Sequence, residues 1–226
     1  MIPMFRAMMV GTAALVAMLL MACGTPASRD GNDGAAEAAA PEPAPDSPAE
    51  AFMANLAAQC AGHFPGRLAL EPEGDPMLTG TEQLIVHFLD CDADEVRIPF
   101  HIERDDGGWD RSRTWHVIRH GDRLELRHDH REPDGSESTR TWYGGITESP
   151  GTGTQQDFVS PERSTAAGVT VGWRIEIEPG VRYAYGTTHD GEYDWRIEFD
   201  LSRPLAGPAP LRWGHDRDPS RVPGPP

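Results

Sequence analysis

His128 and His130 stand two residues apart in the segment RLELRHDHR, and in an extended strand that spacing places both imidazoles on one face. Leu124 and Leu126 precede them on the same face, while Arg123, Glu125, Arg127, Asp129 and Arg131 occupy the other, so the histidines continue an apolar surface. Such a pair can hydrogen-bond inside the fold, contact a bound ligand, or supply metal ligands. For the last role His128 and His130 are weak candidates, because two ligands fall short of the three or four a zinc site uses, each with an orienting partner.

A hairpin must position them. Alternating runs over 113–119 and 123–131 flank Gly121-Asp122, a pair suited to a primed two-residue turn. A two-residue loop sets Val117 against Leu126, Trp115 against His128 and Arg113 against His130, and turns His116 to the opposite surface. A three-residue loop instead brings Thr114, His116 and Ile118 beside Leu124, Leu126 and His128, so that three histidines converge. Burying Trp115 favours the first register, since a fully buried large apolar side chain contributes about 1.5–3 kcal/mol. Trp115 is therefore expected inside and His116 exposed. Asp134-Gly135 predicts a second turn and a strand over 138–143, placing Thr139 and Thr141 beside His130 and His128 and Tyr143 beside Leu126. The candidate ligand-binding set is Arg113, Trp115, His128, His130, Thr139, Thr141 and Tyr143. Outside, Asp129 is expected opposite Arg140, and Arg127 near Trp142.

Other chemistries find less footing. There is no GxSxG elbow for a nucleophile, and GTGT at Gly151 lacks the Lys and following helix of a phosphate loop. Glu176 with Glu178 and Glu198 with Asp200 fall on a solvated strand face, and no cofactor is indicated. The chain of 226 residues is 38% hydrophobic, enough for one core, and its net charge of -16 repels phosphate backbones, which excludes nucleic acid as a partner. All 20 basic residues are Arg.

In chain order, Arg6 and the apolar run 8–21 read as a secretory signal peptide spanning 1–22. Leu20-Met21-Ala22-Cys23 resembles the bacterial lipobox, which implies diacylglycerol on Cys23, acylation of the new N-terminus and a membrane partner reached through lipid. Gly24 rather than Asp after the Cys implies outer-membrane attachment, facing the periplasm or the surface. Residues 23–46, rich in Ala, Pro, Gly, Asp and Glu, read as an acidic disordered tether. Ser47-Pro48-Ala49-Glu50 is a capping box that predicts a helix with an apolar stripe of Phe52, Met53, Leu56, Ala57 and Cys60. Strands are expected at 67–70, 83–89 and 95–103. Cys60 and Cys91 form an even pair in an exported chain and are expected to be joined. Near the C-terminus Trp173, Ile175 and Ile177, then Val181, Tyr183 and Tyr185, then Tyr193, Trp195, Ile197, Phe199 and Leu201 mark a three-stranded meander. No second helical pattern stands out, and 205–226 read as a loose Pro/Gly-rich tail.

The segments RSRTW, LRHDHREPDGS and YGG are similar to those of a set of uncharacterised bacterial secreted proteins and lipoproteins, a resemblance that covers most of 52–204 and implies no activity. The strand count leaves a barrel or a sandwich, and the successive hairpins favour the barrel. That pattern resembles the lipocalin and fatty-acid-binding superfamily, although Gly66-Arg67 stands where typical lipocalins carry Gly-x-Trp. The expectation for 47–204 is a mostly β domain, an antiparallel up-and-down lipocalin-like barrel of eight to ten strands with one N-terminal helix. The expected function is that of an envelope lipoprotein holding a small molecule or an envelope protein without catalysis. The alternative is a metal-dependent or His-assisted enzyme built on the His128/His130 strand.

Overall fold

Ser47 begins the first helix. Its Oγ accepts a hydrogen bond from the Glu50 N–H, and the Glu50 carboxylate reaches back to the Asp46 N–H. Pro48 sits in the first turn, where a missing N–H leaves nothing unsatisfied. In the computed structural model, which describes residues 45–71 and 78–215, this helix is α1 (Pro48–Ala57) and buries Ala49, Phe52, Met53 and Leu56. The expected signal segment, Cys23 and nearly all of the tether lie outside the described residues.

Eleven strands follow: β1 (His63–Leu70), β2 (Leu84–His87), β3 (Asp90–Cys91), β4 (Glu95–Glu103), β5 (Trp109–His120), β6 (Arg123–His130), β7 (Tyr143–Thr147), β8 (Gln155–Val159), β9 (Val171–Glu178), β10 (Arg182–His189) and β11 (Glu192–Asp200), with a short helix α2 (Pro161–Ala167) after β8. From β4 to β11 each strand pairs antiparallel with its successor. β11 then pairs with β1, β1 with β2, and β2 with β4. Ten strands thereby close an up-and-down antiparallel barrel, which leaves no open edge. The two-residue β3 continues along the β4 edge that β2 occupies.

α1 packs against β4, β5 and β9, strands on different sides of the ring, so it stoppers one end of the barrel. Phe52 and Leu56 belong to the same buried core cluster as Val96, Val117, Leu124 and Ile177. Phe88 meets Tyr183 edge-to-face at 5.4 Å, a favoured geometry for aromatic pairs. A disulfide joins Cys60, just past α1, to Cys91 on β3, as expected.

Several elements depart from the sequence reading. β8 was unforeseen because one of its two inward residues is Gln156. That side chain is fully buried, and its amide donates to the Pro150 and Thr152 carbonyls at 3.1 and 2.8 Å, so a satisfied polar group hides the apolar alternation. α2 starts with Ser160-Pro161, as α1 starts with Ser47-Pro48, but it buries no residue and so has no apolar stripe to read. Val181 is exposed in the turn before β10. A bulge at Thr187/Thr188 turns Tyr193 to the outside, where Arg174 and Arg196 lie 5.3 and 5.2 Å from its ring.

The strand expected over 138–143 begins instead at Tyr143, two residues further along in register: Tyr143 pairs with His128 and Gly145 with Leu126. The cause is close approach. A Cβ on Gly144 would lie 1.7 Å from the Leu126 carbonyl oxygen, so only glycine fits this pairing. Residues 131–142 form a loop that ends with Trp142 at φ 59°. The tail expected to be loose is packed as far as the described residues reach. Leu205 N–H donates to the His63 carbonyl and Trp213 N–H to the Arg111 carbonyl, so 204–213 runs along the outside of the barrel from β1 to β5.

Candidate functional site

The β5–β6 hairpin has the two-residue loop, with Gly121 at φ 63°, and pairs Val117 with Leu126, Trp115 with His128 and Arg113 with His130. Trp115, on β5, stacks at 4.1 Å on Tyr185 of β10, five strands away in a ring of ten, so the contact crosses the lumen. Phe100 stacks on the far side of Trp115 at 5.1 Å. His128 crosses as well, its Nε2 lying 2.6 Å from the Tyr185 hydroxyl. These four side chains form a layer across the barrel. Between that layer and α2 lies a cavity of about 910 Å³, walled by Tyr143, Trp173 and Trp195 and bordered by Arg113, Arg127, Arg140, Arg163 and Glu162.

The layer is electrically neutral. His128 Nδ1 is 3.1 Å from the Tyr143 carbonyl, which can only accept, so Nδ1 carries the proton and Nε2 accepts from Tyr185. Burial drives the His128 pKa down to about 3, which keeps the ring uncharged, and burial holds the Tyr185 phenol well above its usual value. His130 is half-buried beside the cavity wall, with Nε2 3.3 Å from the Tyr143 hydroxyl; burial lowers its pKa, with Arg113 acting in the same sense. Both His128 nitrogens are thus occupied by the fold. Among the described residues no group of three or more His, Cys, Asp and Glu is arranged to hold a metal ion.

Charge sits at the rim. Arg113 is paired to Asp110 at 2.5 Å, and Arg127 is paired to Glu125 and donates to the Trp142 carbonyl. Arg140 and Arg163 differ: among the described residues neither has a carboxylate partner. Arg140 lies 6.0 Å from the Tyr143 ring and Arg163 5.0 Å from the Trp173 ring, cation–π contacts that leave guanidinium N–H groups to spare.

Of the expected site residues, Arg113, Trp115, His128, Thr141 and Tyr143 line the cavity, and His130 stands behind Tyr143. Thr141 also accepts the His130 N–H through its hydroxyl. Thr139 is exposed and outside the site, because it belongs to the loop and not to a strand. Sequence reasoning missed Phe100, Trp173, Tyr185, Trp195, Arg140 and Arg163. The aromatic alternation of β9–β11 was visible, but nothing in it said that Tyr185 faces Trp115 across the lumen.

His116 does point away from the interior, yet it is only 6% exposed, contrary to expectation. The loop 131–142 folds over it, with the Trp142 ring 5.2 Å away. Its Nδ1 is 2.7 Å from Glu95, and its Nε2 is 3.9 Å from Asp129, an ion-pair distance and not a hydrogen bond. Burial opposes charge on this ring, but Asp129 and Glu95 outweigh it and raise the His116 pKa. In return the His116 hydrogen bond, aided by Arg97, holds Glu95 at about 2. Asp129 pairs with Arg131 at 2.7 Å and lies 3.8 Å from Arg212 of the C-terminal strap, and not with Arg140. The Arg127–Trp142 proximity is present.

No family model, curated protein or solved structure matches this chain, so the roles of these residues follow from their own geometry.

Proposed function

We propose that this chain is a noncatalytic binding protein of the bacterial cell envelope, a lipocalin-like barrel that holds a small molecule and is attached to the membrane, the outer one in a two-membrane cell, by lipid on Cys23. The observation that carries the binding role is the aromatic cavity of about 910 Å³, a size suited to a small molecule, on the side of the Trp115–Tyr185–His128 layer away from α1. The same geometry gives a His-assisted reaction little support, since an imidazole with a pKa of about 3 and two satisfied nitrogens is a poor proton shuttle at neutral pH. The leader and lipobox support export and lipidation, and the Cys60–Cys91 disulfide suits an oxidising compartment.

Binding is tested with N-phenyl-1-naphthylamine, a neutral dye that brightens in apolar surroundings. The folded chain should enhance its emission, and Thr187→Trp, which narrows the cavity at its lining, should weaken the enhancement. Absence of uptake by the wild type would remove the binding role. Lipidation is tested separately: labelled fatty acid should enter the wild type and not Cys23→Ser, and equal labelling of both would remove the anchor.

A further inference from the structure

We propose, resting on the small-molecule reading above, that the cavity takes a flat aromatic carboxylate, with its ring system on the Trp115–Tyr185 layer and its carboxylate at the rim between Arg140 and Arg163. The depth of the site argues for a short, flat occupant. Because Trp115, Tyr185 and His128 close the lumen from wall to wall, and the space beyond them is filled by Phe88, Tyr183 and Phe199, a long flexible chain has no channel to enter. The surfaces on offer are ring faces and edges, which favour another π-system by stacking.

The charge argues for an anion. In a chain of net charge -16, the cavity border carries four arginines and one carboxylate, that of Glu162. Arg113 and Arg127 already have carboxylate partners, whereas Arg140 and Arg163 have none among the described residues. Arg113, Arg140 and Arg163 all act on the Tyr143 phenol in the sense that favours an anion there, although burial dominates and keeps the phenol protonated. The surplus acid elsewhere on the chain is screened beyond about 10 Å at 0.1 M salt. A guanidinium fork held over an aromatic ring presents its edge N–H groups in the plane that a carboxylate accepts. His128 adds no charge of its own.

Calorimetry on the full chain with three probes tests this: 2-naphthoate, its neutral isostere 2-naphthamide, and decanoate. Naphthoate should bind about tenfold more tightly than naphthamide, the discrimination expected for a charge-assisted hydrogen bond, and more tightly than decanoate. In Arg140→Gln/Arg163→Gln, a change at two exposed side chains, naphthoate should fall to the level of naphthamide, whose own affinity should hold. Equal binding of naphthoate and naphthamide by the wild type would overturn the anion assignment while leaving the binding role intact. Decanoate binding as tightly as naphthoate would overturn the flat-ring assignment. Failure of all three probes while the neutral dye still binds would overturn the aromatic-carboxylate assignment and leave the binding role intact, whereas absence of dye uptake overturns the binding role itself.

Discussion

His116→Ala should destabilise the fold by about 2–3 kcal/mol at mildly acidic pH, and the effect should fade as pH rises. Removing one member of a buried ion pair costs about 3–5 kcal/mol, because the partner is left charged and desolvated. Here the loss should fall at or just below that range, because Asp129, itself 2% exposed, keeps Arg131 at 2.7 Å, and Glu95 keeps Arg97 at 3.1 Å. The folded His116 pKa is raised above 6.5, so its stabilising contribution is complete below that value and is lost as pH climbs through the raised folded value. Glu95, held at about 2, contributes above its ordinary value of 4.5 and loses that contribution only as pH falls through about 2, so it does not titrate in this window. Urea melts of wild type and His116→Ala from about pH 5.5 to about pH 9 give the difference directly, and subtraction cancels the other histidines. A loss below about 0.5 kcal/mol, or one that stays constant with pH, would refute the charged, sandwiched His116.

Three further outcomes follow from the fold. Trp115→Ala removes the centre of the cross-lumen stack and should cost about 3–5 kcal/mol in the same melts, with little pH dependence. Thiol titration of the folded chain should find Cys60 and Cys91 unreactive, and replacing both with Ala should cost about 3–4 kcal/mol in the chain-entropy picture for a separation of 31 residues. Gly144→Ala should prevent the β6–β7 pairing, seen as loss of the folded signal in near-ultraviolet circular dichroism; a native spectrum would show that the strands can part at that point.

Much of the barrel was legible because its information is local. Gly121-Asp122 with its flanking alternation is enough to set the β5–β6 register, and Ser47-Pro48 is enough to start α1. The misreadings share a different cause: each depends on residues far away in the chain. His116 was correctly placed opposite the interior, but its cover comes from the Trp142 ring of the 131–142 loop, a segment with no strand or helix pattern to announce a packed role. The register slip at Tyr143 moved by two, an even number, so Tyr143 stayed on the inward face while Thr139 was lost from the site. The site itself was half visible. The hairpin side was read from period two, but the partners on β9, β10 and β11 meet it only when the ring closes.

Ring closure also sets where the barrel should give way under load. β5 and β6 share eight paired positions across a two-residue turn, whereas β1 and β11, the first and last strands of the meander, meet through only Gly66–Phe199, Arg67–Glu198, Leu68–Ile197 and Leu70–Arg196. That junction is the seam at which a closed meander can unzip without breaking a hairpin. One tie spans it: Leu205, just past the end of β11, donates its N–H to the carbonyl of His63 at the start of β1. Cutting the chain before Leu205 should therefore raise the unfolding rate far more than it slows refolding, if pairing the first strand with the last, which closes the longest loop, follows the local hairpins.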